Sequence, residues 1–186
     1  MPQERFAEVA TEAILSLPQD LKAALRVVED ADVDDASRVA VAGAILHVLS
    51  NANAIPGTRG VLAHVGNVIV LRLVLERAIK ASPEAMAAHQ EDSPELFGPL
   101  PGQLEATRSY LTDLIGVLDK VADGVVKLSH QGHSAEQCAR DMDESTWLYE
   151  AVQEAIVERL ELDEDEVARE MKQVDTILPH LRSRMS

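Results

Sequence analysis

Aromatic residues make up only 3% of this 186-residue chain, which has a single cysteine, Cys138. With so few aromatic and alternating β-branched positions, a core built from sheets is excluded. A lone cysteine forms no internal disulfide, so nothing here depends on an oxidising compartment, and the cytoplasm is the expected location. Met1 to Arg5 lacks the basic, apolar and small-residue order of a secretory signal, so export is not expected. The longest apolar stretches, roughly 38–49 and 61–75, fall short of the ~18 uninterrupted apolar residues of a spanning helix. Also absent are a Gly-rich phosphate loop, a nucleophile elbow and a motif that pairs carboxylates. Nothing therefore speaks positively for an enzyme, and no cofactor is expected.

Acid is missing from one place in a chain that is otherwise acidic. The formal net charge is −15, which repels nucleic acid and argues against it as a partner. Residues 36–75 contain no Asp or Glu, and Arg38, Arg59 and Arg72 give that segment +3, leaving −18 to the rest. Length allows one core of good size.

Helical spacing dominates what is present. Phe6, Val9, Ala10, Ala13, Ile14 and Leu17 fall on one face of a first helix over 3–17 that ends near Pro18, and Leu21, Ala24, Leu25 and Val28 on one face of a second over 19–30. Asp34 or Asp35 suits the N-cap of a third helix, 35–50. That helix (VAVAGAILHVL) is apolar nearly all round, as is a fourth over 61–80, so both belong in a core as an antiparallel hairpin. Gly43 and its alanine neighbours permit close approach of another helix. Pro83, Pro94, Pro99 and Pro101 mark 81–102 as a linker with one short helix, 83–91. A long helix over 103–129, a break at SHQGHS and a helical region from Ser134 follow. A last helix is capped by Asp163, and its Val167, Met171, Val174, Leu178 and Leu181 form a short heptad seam. The expected fold is all-α, a compact bundle of about seven or eight helices. It divides into an N-terminal region (1–80), the linker (81–102) and a C-terminal antiparallel region (103–186), within one compact domain.

Between the two apolar helices the chain reads LSNANAIPG, then VLAHVGNVIVL. This hairpin, 36–76, resembles the YkvA-like family, a bacterial helical domain of unknown function, in its Ile55-Pro56 turn and both apolar flanks. Where the family pattern carries aspartates, this chain has Asn53, Gly57, Gly66 and Asn67. The resemblance implies a helical hairpin that has given up charge, and it brings no activity with it. A carboxylate wedged between core helices without a partner would be costly, which gives the loss a physical reason.

Two clusters carry candidate chemistry. His47, Asn53, His64 and Asn67 lie around the hairpin and form a candidate ligand-binding group, against the alternative that buried His and Asn satisfy one another and the backbone. His130, His133 and Cys138 offer two imidazoles and a thiol to a metal, against the alternative of a helix stop and N-cap. The acidic runs 141–144 and 163–166 lack the pattern of a calcium loop. With 14 acids and 4 bases over 134–175, the sequence favours a non-catalytic interaction or scaffold protein using acidic helical surfaces or the heptad seam, bound to a basic protein partner or to itself. A membrane-associated hairpin and a small-ligand or metal-binding protein or enzyme are the alternatives.

Overall fold

In the computed structural model, which describes residues 1–185, the all-α reading holds. The helices are α1 (Pro2–Leu15), α2 (Leu17–Glu29), α3 (Asp35–Leu49), α4 (Ala63–Ala81), α5 (Pro83–Asp92), α6 (Pro94–Phe97), α7 (Leu100–Leu111), α8 (Ile115–Gly124), α9 (Ala135–Arg140), α10 (Met142–Ala155), α11 (Glu164–Met171) and α12 (Ile177–Ser183). Short 3₁₀ turns precede α4, α8 and α12, and a π-helical turn, Ile156–Leu160, continues α10. Two-residue strands, β1 (Ser129–His130) and β2 (His133–Ser134), pair antiparallel across the break expected at SHQGHS.

Every residue from Val41 to Leu49 and from Val65 to Leu75 is buried. A helix with no polar face must be covered on all sides, and the remaining helices do this. Against α3 lie α2, α9, α10 and the 3₁₀ turn Val125–Lys127, while α1, α5, α7 and α8 lie against α4. Gly43 permits one of these contacts, because a Cβ there would stand 2.1 Å from the Val125 carbonyl oxygen. Asp34 caps α3 by accepting the Ser37 N–H at 3.0 Å. The hairpin is thus enclosed by its own chain, and no helix among the described residues is long and apolar enough to cross a membrane.

Two of the arginines in the acid-free segment turn inward. Arg72, in the middle of α4, is 3% exposed, and Asp20 on α2 is 2% exposed. The Arg72 guanidinium donates from Nη2 to Asp20 Oδ2 at 2.8 Å, from Nε to Gln103 Oε1 on α7 at 2.8 Å, and from Nη1 to the Val68 carbonyl at 3.3 Å. Ser16 donates to the same Asp20 oxygen at 2.7 Å. Burial pushes the Asp20 carboxyl above its ordinary value, opposed by Arg72 and Ser16. Arg38 serves α2 and α9 instead, donating to the Val28 carbonyl at 2.9 Å and the Ala139 carbonyl at 2.5 Å.

The chain is divided more finely than seven or eight helices. Residues 81–102 are largely helical rather than a linker, because Pro83, Pro94 and Pro101 sit in the first turns of α5, α6 and α7, where a missing N–H costs nothing. The expected helix over 103–129 is broken at Thr112, whose φ is +52°. The last helix is broken between α11 and α12, and the stripe proposed as a seam is consumed within the fold. Val167, Met171, Val174 and Leu181 are all buried in the common core, so they are not free to pair with a second copy.

Removing one member of the buried pair leaves the other as an unpaired internal charge. Arg72→Met is expected to lower unfolding free energy by ~3–5 kcal/mol, and adding Asp20→Asn should restore part of that loss in urea titrations. At the surface of α4, Arg108 donates to both Glu76 oxygens, at 3.0 and 2.7 Å. Those bonds hold the Glu76 carboxyl below its ordinary value. A carboxyl lowered by folding contributes stability above its unfolded value and loses it as pH falls through the folded one. Glu76→Gln should therefore flatten the acid limb of a stability–pH curve, and an unchanged limb would show that this pair carries no proton linkage.

Candidate functional site

The turn between α3 and α4 is held by amides. Asn53 Oδ1 accepts from the Ile55 N–H at 3.0 Å and from Thr58 Oγ1 at 3.1 Å, while its Nδ2 donates to the Thr58 carbonyl at 2.9 Å. Asn67, 7% exposed, accepts the Ala54 N–H at 3.1 Å and donates to the Ala52 carbonyl at 2.9 Å. Each amide is thus donor and acceptor at once, a combination no ionised carboxylate supplies. Gly57 has φ +102°, and a Cβ there would stand 2.5 Å from the His180 ring of α12.

Distant segments complete the turn. Glu170 of α11 accepts the Val61 N–H at 3.1 Å, so the start of the second helix receives its acid from elsewhere in the chain. Arg159, from the π-helical turn, donates through Nη2 to the last carbonyls of α3, Val48 at 3.1 Å and Leu49 at 2.9 Å. A helix C-terminus carries partial negative charge, and a guanidinium there is well placed.

Together these pieces wall a cavity of about 290 Å³, lined by Val48, Ala52 and Ala63 and by Asn51, Asn53, Thr58, His64, Asn67 and Arg159, with Gly60 at its edge. Of the four residues expected as a ligand group, Asn53, His64 and Asn67 share this lining. His47 does not, and its ring lies buried in the core with Nδ1 unpartnered. Burial lowers the basicity of both imidazoles, and for His64 the Arg159 charge adds to this while Glu170 opposes it. Sequence reasoning missed Arg159 and Glu170. Arg159 left a trace, being the one Lys or Arg between 141 and 168. Glu170 left none, since its role follows from the fold of α11 over the turn.

His130, His133 and Cys138 are placed differently. His133 stacks on Trp147 with ring centroids 3.7 Å apart and hydrogen-bonds through Nδ1 to Glu144, while His130 tilts toward the same indole at 6.5 Å. Ser134 forms a capping box with Gln137 at the start of α9. Cys138 is buried, and burial followed by the Glu144 charge pushes its thiol up to about 11, away from the thiolate a metal requires. Among the described residues no group of three or more His, Cys, Asp and Glu is placed to hold a metal ion.

No protein-family model matches the chain, and neither the curated proteins nor the solved structures compared with it give a match.

Asn67→Asp is the sharpest test of the turn. It removes the N–H bonded to Ala52 and buries a carboxylate, so it should cost ~1–3 kcal/mol in chemical denaturation at neutral pH, and less once the pH is low enough to protonate the new group.

Proposed function

We propose that the chain is a non-catalytic recognition module of the cytoplasm that receives a basic protein partner on the outer face of α10 and the segment leading into α11. The observation behind this is a run of carboxylates without internal partners. Glu150, Glu154, Glu158, Glu161, Glu164 and Asp165 are exposed and make no hydrogen bond or ion pair among the described residues. Glu150 and Glu154 stand four residues apart on α10, an arrangement that costs a helix ~0.2–0.5 kcal/mol per like-charged pair, and Glu158 follows in the π-helical turn. Nothing in the fold compensates it.

Apolar side chains interleave with the acids. Tyr149 is 48% exposed, Val157 82% and Met142 84%, all on the same continuous helical run. A surface of this kind offers anchors for a partner's apolar side chains within a field that steers a basic one toward it. The buried thiol of Cys138 suits a reducing compartment.

Native mass measurement on the protein recovered from its own lysate tests the proposal against the triple variant Glu150→Gln, Glu154→Gln, Glu158→Gln. The wild-type chain should carry a basic partner that is released as added salt shortens the Debye length well below its physiological ~8 Å. The variant should fold with equal or slightly greater stability and lose that partner. An inert monomer at every concentration, or the same partners on both proteins, would sink the idea.

A further inference from the structure

The cavity beside the α3–α4 turn is walled by charge of one sign, positive. Two of the side-chain acceptors in its wall are engaged, Asn53 Oδ1 by Ile55 and Thr58 and Asn67 Oδ1 by Ala54, while the exposed Asn51 amide makes no hydrogen bond among the described residues. Donors remain. Arg159 uses only Nη2, so Nε and Nη1 have no acceptor among the described residues. The His64 ring makes no hydrogen bond there either, and Asn53 and Asn67 each use one of their two Nδ2 N–H groups. No carboxylate lines the cavity, although acids outnumber bases by 32 to 17 in the whole chain.

A wall with unfilled donors, a guanidinium and no carboxylate repels a metal ion and suits an oxyanion. We propose that this cavity binds a small oxyanion, with Arg159 as its charge partner and His64 as a further donor. At about 290 Å³ the space exceeds a bare anion and leaves room for a short organic body against Val48, Ala52 and Ala63. The proposal does not rest on the role given to the acidic face of α10, and either stands if the other fails.

Neighbouring acids limit the affinity. Glu170 acts on His64 electrostatically, but its Oε1 is occupied by the Val61 N–H. Glu154 and Glu158 line an adjoining groove that shares Asn51 and Arg159 with the cavity. Binding on the order of millimolar is therefore the expected range.

Sodium phosphate and sodium butyrate, titrated separately at ionic strength held constant with chloride, distinguish a phosphate from a carboxylate ligand. One of them should produce saturable NMR shifts of the His64 ring and the Arg159 Nε–H. Arg159→Gln should abolish the response, and His64→Leu, which removes the ring donor, should weaken it about tenfold, the loss of one hydrogen bond to a charged group. Because His64 has no hydrogen bond to lose within the fold, His64→Leu serves even where Arg159→Gln does not fold. The proposal is overturned if neither anion gives saturable shifts, if chloride reproduces them, or if His64→Leu leaves the affinity unchanged.

Discussion

Two adjacent helices without a polar face impose the central constraint on this molecule. From Val41 to Leu49 and from Val65 to Leu75 every residue is buried, so the directions around the α3–α4 pair must be filled by other segments. Full burial of a Val, Leu or Ile side chain stabilises by ~1.5–3 kcal/mol. The Val, Leu and Ile residues of these two stretches therefore supply much of the drive for folding. The surrounding helices bring one apolar side inward and carry the charge outward. Their order in the chain matters less than their completeness as a cover. This is why short pieces such as α6 and α9 suffice, with Leu96, Phe97, Ala135 and Cys138 each filling a place in the shell.

Charge inside that shell is tolerated only where it is answered. Arg72 would be very costly alone on α4, and Asp20 reaches it from α2 together with Gln103 from α7. The pair is a weak source of net stability, since both groups lose water to meet. Its bonds tie α2, α4 and α7 together at one point of the core. Arg38 and Arg159 meet the same requirement with backbone carbonyls. An acid-free hairpin in an acidic chain is thus consistent with the packing: its carboxylate partners, Asp20 and Glu170, come from segments distant in sequence.

Local rules made the helical class, the buried hairpin, the Asp34, Ser134 and Asp163 caps and the turn at Ile55-Pro56-Gly57 legible in the sequence. They failed where a residue's role depends on what packs against it. Prolines that suggest a linker are helix starters in 81–102, because Met86, Leu96, Phe97 and Leu100 pull that stretch into the core. Thr112 carries no glycine-like signal for its positive φ. The stripe on the last helix reads as a seam until α1 is seen to pack on α11. Of the candidate site, the asparagines and His64 could be found beforehand. Their separation from His47 and their meeting with Arg159 could not, since the latter joins residues about a hundred positions apart.

Arg159 also links the two surfaces for which roles are proposed. Between 141 and 168 it is the single basic side chain in a segment rich in Glu and Asp. One helical turn away stand Ala155, Ile156, Leu162 and Asp163, so a regular helix offers it no glutamate. It makes no ion pair among the described residues, and from a π-helical turn it reaches inward to the end of α3. Such turns are rare and are often found at functional sites. With this one cation turned inward the cavity gains a positive charge, and the segment holds no other base for Glu150, Glu154 and Glu158 on the outside. The charge of the cavity and the bareness of the acidic face thus both trace to a segment with a single arginine and to the direction that arginine takes.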